Sequence, residues 1–240
     1  MKEIISKDNP KIKEWEKLKQ KKYIEKYNKV LLEGIKLIDE AERRGVKFDA
    51  VLTNFYTDDD FTAPVYRLKD TVFNLLSATK SSQGIIAVAN MKKHCFQLPK
   101  GNFLVLDNVR DPGNMGTIIR TAVACDFKEI YAINCVDFRN DKVLRSTMGT
   151  VFDAKIMEIT MEDFSKLEKF NLLCADMGGT DIFKVKKPKV QFGIIVGNEA
   201  QGISPEILEK ASLKISLPMQ NNVESLNVAV ATGILMYLLK

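Results

Sequence analysis

The chain predicts two α/β domains in tandem, the second and larger built on a mostly parallel sheet. Three observations carry this. Strand-length apolar runs alternate with helical segments through both halves. The alternation lapses around 96–101, where Pro99 and Lys100 sit in a stretch without periodicity, so 1–95 and 102–240 read as the domains. A chain of 240 residues, 45% hydrophobic and 28% charged, is also an ordinary globular composition with room for one large core or two modest ones. Fibrous, repeat-based and disulfide-scaffold architectures are excluded by the same composition.

In the first half, 10–27 spaces Ile12, Trp15, Leu18 and Tyr23 among lysines, the pattern of one helix with a single apolar stripe. A strand at 30–32 is stopped by Glu33-Gly34, a helix at 35–44 is closed by Gly45, and a strand follows at 46–54. A polar turn is expected at 58–60, then strands at 65–67 and 84–89. In the second half, strands are expected at 103–106, 129–133, 152–159, 172–175, 192–196 and 213–217. Helices are expected after Pro112, at 161–169, at 205–210 and from about Ser225, with a charged segment running to Arg145. A parallel sheet covered on both faces places its chemistry in the loops at the carboxyl ends of its strands.

The net charge of +5 is unevenly spread. Residues 1–30 hold ten lysines against five acidic residues, and the remainder of the chain balances. A basic end points to a polyanion, nucleic acid ahead of a membrane surface; a solvated lysine-rich helix face accounts for the same charge. Cys95, Cys125, Cys135 and Cys174 contain no C-x-x-C pair and His94 is the one imidazole, so no metal site is expected and reduced thiols are. The charged N-terminus has no signal-peptide core, and the uncharged run at 225–239 is too short to span a bilayer; a cytoplasmic protein is the expectation.

Three loops carry polar groups suited to chemistry. After the strand at 103–106, Asp111-Pro112 makes a good helix start, and Gly113 and Gly116 permit close approach of a ligand or backbone. A helix N-terminus beyond a strand end is an anion site by default, yet the glycine spacing matches neither a dinucleotide fingerprint nor a P-loop. Arg120, farther along this helix, could project toward a substrate, but taken alone it reads first as a surface ion-pair partner. The second loop, Val196-Gly197-Asn198-Glu199-Ala200-Gln201-Gly202, follows a buried strand; Asn198 and Glu199 suit a turn or cap as well as a site. In the third, Ser225 and Asn227 head a helix otherwise apolar or small all round, which reads as buried. Either they cap a core helix or they face a ligand.

Together, in this order and spacing, these segments resemble the SpoU (TrmH-like) branch of the SPOUT superfamily of S-adenosylmethionine-dependent RNA methyltransferases. Asp111-Pro112-Gly113-Asn114 through Arg120-Thr121-Ala122 resembles its first motif, Val196-Gly197-Asn198-Glu199 through Gly202 its second, and Leu217-Pro218-Met219 with Ser225-Leu226-Asn227-Val228 its third. Arg145-Ser146-Thr147-Met148-Gly149 is similar to a further family segment. This likeness covers about 102–240. Residues 6–18 and Val30-Leu31-Leu32-Glu33-Gly34 resemble the family's substrate-binding domain, a small fold akin to ribosomal proteins; Ser82 stands where the family commonly has proline before Gln83-Gly84-Ile85.

The resemblance implies a deep trefoil knot in the second domain, which general topology rules would not predict. It implies S-adenosylmethionine as cofactor, held by Gly197, Leu217, Met219 and Leu226, and methyl transfer to a ribose 2′-hydroxyl without a metal. The substrate implied is RNA, ribosomal (23S) rather than transfer RNA; a non-catalytic RNA-binding protein keeping the fold is the other class of reading. The implied catalytic set is Asn114, Arg120, Glu199, Ser225 and Asn227. A guanidinium rarely loses its proton in proteins, so Arg120 suits the phosphate beside the target ribose, and acts as base only if cofactor and site depress its pKa. Within an RNA-gripping domain the N-terminal lysines become phosphate contacts: Lys17, Lys19, Lys21 and Lys22, with Arg145 from the second half. The family also implies a homodimer, with the closing helix at or near the interface.

Overall fold

A computed structural model of the chain describes residues 1–57, 61–221 and 223–240; the turn expected at 58–60 and Asn222 lie outside the described residues. They group into two units, 1–93 with 139–152 and 94–138 with 153–240.

The first unit holds a mixed sheet of β1 (Lys2–Ile4), β2 (Lys29–Glu33), β3 (Phe48–Thr53), β4 (Val65–Leu68) and β5 (Ile85–Asn90), in the order β1-β4-β3-β5-β2. Strands β1, β4 and β3 run parallel, and β5 pairs antiparallel with β3 and β2. Around it lie α1 (Pro10–Lys17), α2 (Lys21–Tyr27), α3 (Ile35–Arg43) and α4 (Asp70–Leu76). Asn9 starts α1: its side chain accepts the Lys11 N–H at 2.9 Å, and Pro10 occupies the first turn, where no donor is missed.

The single helix expected at 10–27 is two. A straight helix would point Leu18 and Ile24 to different faces, whereas the break at 18–20 lets both be buried. Lys19 secures it by donating to the carbonyls of Leu75 (2.5 Å) and Ser77 (3.0 Å). The core formed by Ile12, Trp15, Leu18, Leu52, Tyr66 and Phe73 includes an edge-on Trp15–Tyr66 contact at 5.4 Å. Strand β1 and helix α4, too short to show a period, escaped the sequence reading.

Glu33 closes β2 with a buried side chain. Its carboxylate accepts hydrogen bonds from the hydroxyls of Ser77 and Thr79, both at 2.6 Å, and from the Ala78 N–H at 2.8 Å. Burial pushes its pKa up, but the hydrogen bonds from Ser77, Thr79, Ser82 and Ala78 outweigh burial and hold it below the ordinary glutamate value. A carboxyl depressed in the folded state contributes stability above its unfolded pKa, and that contribution is lost as pH falls through the folded value. Glu33→Gln is therefore expected to lower unfolding free energy at neutral pH by about 1–3 kcal/mol. It should also flatten the loss of stability on acidification below pH ~4. Urea melts across pH followed by circular dichroism measure both.

The elements after β5 are β6 (Phe103–Asp107), α5 (Pro112–Ala124), β7 (Glu129–Ile133), α6 (Asp141–Thr147), β8 (Lys155–Glu158) and α7 (Met161–Ser165). They continue with β9 (Asn171–Asp181), β10 (Phe192–Val196), α8 (Pro205–Leu208), β11 (Leu213–Ser216) and α9 (Val228–Leu239). The second unit's sheet has the order β11-β9-β10-β6-β7-β8, and every pairing in it is parallel. Phe103, Val105, Tyr131, Phe164, Leu172 and Ile195 fill one core cluster. Residues 96–101 carry no helix or strand but are not free of contacts: Tyr131 donates to the Gln97 carbonyl at 2.7 Å, and Gln191 to that of Pro99 at 3.0 Å.

Several expectations change here. The charged segment before Arg145 is helix α6, and 139–152 groups with the first unit, where Arg139, 1% exposed, pairs with Glu25 at 3.3 Å. The strand expected at 152–159 is preceded by a single turn, Thr150–Asp153, and shortens to β8. Strand β9 runs on to Asp181 because β11 pairs with its far end. The closing helix starts at Val228 rather than Ser225, since the Asn227 side-chain oxygen accepts the N–H groups of Ala229 and Val230 and so ends the extended chain there. Nor is that helix buried all round: Val230, Ile234, Tyr237 and Leu238 are exposed.

Candidate active site

At the carboxyl ends of β9, β10 and β11, beside the start of α9, lies a cleft of about 620 Å³. Three loops and a bulge build it. Asn108, at φ 58°, turns the chain out of β6, and Asp111 then caps α5, its carboxylate accepting the Asn114 N–H at 2.7 Å. This presents the Asn114 side chain to two partners. Its amide nitrogen donates to the Glu199 carboxylate, and its oxygen accepts from the Asn227 amide at 2.9 Å. The oxygen of Asn227 in turn caps α9, so the amide dipoles line up head to tail from Glu199 to that helix and polarise one another.

The second loop is closed by a two-way backbone bridge, Asn198 N–H to Gly202 O at 2.9 Å and Gly202 N–H to Asn198 O at 2.8 Å. The Asn198 side chain donates to the Asn108 carbonyl at 3.0 Å and accepts from the Ala200 N–H at 2.9 Å. Asn198 thus fills the turn role, while Glu199 is left projecting for Asn114. Beneath them the buried carboxylate of Asp107 accepts the Ser204 N–H at 2.6 Å. The bulge is in β9, where the register jumps from Cys174 opposite Lys214 to Thr180 opposite Ile215, pushing 175–179 outward. A side chain at Gly179 would stand 2.6 Å from the backbone of β11, so only glycine lets the two strands close again.

Of the residues read from sequence, Gly197, Leu217, Met219, Leu226, Glu199 and Ser225 line the cleft. Asn114 and Asn227 adjoin it through the relay to Glu199. Arg120 does not line it: it is exposed on α5, with no hydrogen-bond or ion-pair partner among the described residues. In the first unit, Tyr23 and Tyr27 stack at 6.1 Å along α2, with the ammoniums of Lys17 and Lys22 over the Tyr23 ring at 5.6 and 4.8 Å. Lys21 is exposed, Lys19 is occupied by the two carbonyls, and Arg145 pairs with Asp141 at 2.8 Å. The sequence reading missed the lining contributed by Asp176, Met177 and Gly178; the Gly178-Gly179 pair after an apolar strand was the available signal.

Chemically the cleft combines apolar walls at Leu217, Met219 and Leu226 with carboxylates at Asp176, Glu199 and Glu224, and among the described residues no lysine or arginine lines it. Its volume is that of a small-molecule site. These residues fit a cationic nucleoside cofactor such as S-adenosylmethionine and do not suit a polyphosphate. Among the described residues no cysteine lines the cleft, and burial pushes the Cys135 thiol up to about 11 and that of Cys174 up to about 12. Among the described residues no cluster of three or more His, Cys, Asp or Glu could hold a metal, and no helix is long and apolar enough to cross a membrane.

Residues 101–237 match the SpoU rRNA methylase family, and 9–87 match an MRM3-like substrate-binding domain. The chain is 32% identical over its whole length to all of the 23S rRNA (guanosine(2553)-2′-O)-methyltransferase RlmP of Bacillus subtilis. Its fold is similar to an rRNA methyltransferase from Sinorhizobium meliloti, at TM-score 0.86 and 26% identity over 99% of this chain and 96% of that one. The AdoMet-bound structure of an rRNA methyltransferase from the same organism gives 0.85 and 25% over the same shares. The chain belongs to the SpoU rRNA methylase family. It is an S-adenosylmethionine-dependent RNA ribose-2′-O-methyltransferase.

Proposed function

We propose that the chain methylates a ribose 2′-hydroxyl of 23S ribosomal RNA in the cytoplasm. The observation that carries the site assignment is the relay Glu199–Asn114–Asn227, which joins the three motif loops beside the cleft. The match of 9–87 to a substrate-binding domain favours ribosomal RNA, as does likeness to RlmP over both domains. The cofactor, when bound, supplies a methyl group already activated on a sulfonium. Leu217, Met219 and Leu226 wall it from water and Gly197 leaves room for it, while the cleft's carboxylates favour its positive charge. Asn114, Ser225 and Asn227 orient the ribose and its hydroxyl, and the Glu199 carboxylate fixes the direction of the Asn114 amide.

Arg120 binds the phosphate next to the target ribose, a role that a permanently charged, fork-shaped donor suits. Support for completing the site in a homodimer comes from α9, which packs on α5 and leaves Val230, Ile234, Tyr237 and Leu238 exposed. Water-exposed apolar rows of this kind are characteristic of subunit interfaces. The deep knot belongs to the same family reading. In the first unit, Lys17, Lys21 and Lys22, with the stacked tyrosines of α2, and Arg145 contact RNA phosphates; Lys19 holds the scaffold.

Two measurements test this. Mapping 2′-O-methyl groups on ribosomal and transfer RNA from cells with and without the gene is expected to show one missing 23S site. Loss confined to transfer RNA overturns the substrate assignment. Arg120→Ala is expected to slow methyl transfer by about 10²-fold or more while calorimetry finds cofactor affinity unchanged; unchanged transfer removes Arg120 from the site.

A further inference from the structure

Between β9 and β10 the chain reads Phe183-Lys184-Val185-Lys186-Lys187-Pro188-Lys189-Val190, a segment outside all three motif loops. Both ends are anchored. The Asp181 carboxylate accepts the Phe183 N–H at 3.0 Å and Ile182 is buried, while the Gln191 amide donates to the carbonyls of Pro99 (3.0 Å) and Gly101 (2.5 Å). What lies between is turned outward. Phe183 is 70% exposed and Val190 67%, and Lys184, Lys186, Lys187 and Lys189 are exposed; Lys184, Lys186 and Lys189 have no ion-pair partner among the described residues. No acidic residue occurs between Asp181 and Glu199 in the sequence.

The row has a direction. It begins next to Asp181, the sheet partner of Ser216, which lines the cleft. It reaches the far end of α9, where Lys187 donates to the Lys240 carbonyl and the Lys240 ammonium lies 3.9 Å from the centre of the Tyr237 ring. The N-terminal lysines account for the chain's net charge. This second cluster is hidden in that sum, because acidic residues elsewhere in the second unit cancel it.

Four cations within six residues, three of them unpaired among the described residues, repel one another, and an exposed phenyl ring lies beside them. A phosphodiester strand answers both: lysines take phosphates, and an exposed ring stacks on any unpaired base. An acidic protein would use the lysines and leave the ring idle. We propose that 183–190 is a second RNA-binding surface, on the methyltransferase unit itself, with Lys184, Lys186, Lys187 and Lys189 on the backbone and Phe183 stacked on an unpaired base. This inference rests on the reading of the chain as an RNA methyltransferase.

The test uses the full chain and a labelled single-stranded RNA of random sequence, with polyglutamate as competitor and protein-free ribosomal RNA as methyl acceptor. Replacing the four lysines by glutamine is expected to weaken RNA binding about 10-fold or more and to reduce the salt slope by roughly 0.7 for each phosphate no longer neutralised. Phe183→Ala is expected to weaken it about 5-fold or more with the salt slope unchanged. Cofactor affinity, melting temperature and sedimentation should stay as in the unsubstituted chain.

Unchanged RNA affinity and slope in the lysine variant overturn the proposal. So does an effect of the lysines without one from Phe183, together with equal competition by polyglutamate, which marks an acidic-protein site. A change in sedimentation overturns it too, by showing a role in self-association. If the unsubstituted chain fails to methylate ribosomal RNA while both variants still lose RNA affinity, the 23S assignment falls and this surface stands. If it methylates and both variants bind and methylate equally well, the surface falls alone.

Discussion

Gly197→Ala is expected to lose most of the chain's affinity for the cofactor. The methyl group it adds would lie 2.2 Å from both the carbonyl carbon and oxygen of Gly202 and 2.4 Å from the Ile203 nitrogen, all backbone atoms that cannot swing aside. The loop must open, and opening breaks the paired hydrogen bonds between Asn198 and Gly202 that shape it. Glu199 and the wall formed by 198–202 move with it, so the damage reaches the relay as well as the cleft. Calorimetric titration with S-adenosylmethionine is expected to show affinity lower by at least about 10²-fold, equivalent to about 2.7 kcal/mol of binding free energy. Thermal melting should show a cost of about 1–3 kcal/mol for overpacking. Normal binding by this variant would mean that the loop closes another way in solution. Gly101→Ala, where an added methyl meets nothing within 4 Å, serves as the tolerated control.

The second large effect is on turnover rather than binding. Asn114 is not part of the cleft wall, yet among the described residues it is the one bonded to both Glu199 and Asn227. Asn114→Ala leaves the Glu199 carboxylate and the Asn227 amide without each other's intermediary, and the ribose-facing groups lose their fixed direction. Single-turnover methylation is expected to slow by about 10²-fold, the penalty of misplacing reacting groups by an ångström or so. Cofactor affinity should hold within about twofold, since uniform binding is untouched. Asn227→Ala is expected to slow transfer similarly and also to cost about 0.5–2 kcal/mol of stability, because it removes the cap of α9. The pair separates the relay from the fold: equal transfer rates in Asn114→Ala and the unsubstituted protein would leave Asn227 a cap and nothing more.

The parts of the site legible in the sequence are those whose geometry is set by near neighbours. Asp111-Pro112 starting α5 and the turn at Asn198 each depend on hydrogen bonds reaching two or three residues. The helix start expected at Ser225 is displaced for the same kind of local reason, since Asn227 is the better placed cap. Periodicity finds the long buried strands and fails where an element is short, as with β1 and α4, or where two helices share one lysine-rich run, as at 10–27. Nor does it reveal that β9 continues past 175, because the extension exists only to pair with β11.

The sequence by itself determined the α/β class, the alternation of strands and helices in both halves, the three polar loops at strand ends, and the charge excess in residues 1–30. The resemblance of those loops to the SpoU motifs named the cofactor and the class of reaction. Only the tertiary structure decided which polar groups meet: Asn114 reaches Glu199 across 85 residues and Asn227 across 113. It also decided that 139–152 packs with the first unit, that part of the apolar face of α9 is exposed, and that Arg120 stands apart from the cleft of a single chain. The physical reason is range. Caps and turns are chosen by competition for hydrogen bonds within a few residues, whereas the sheet order β11-β9-β10-β6-β7-β8 is chosen by burial over the whole unit. That order brings the ends of distant segments to one cleft.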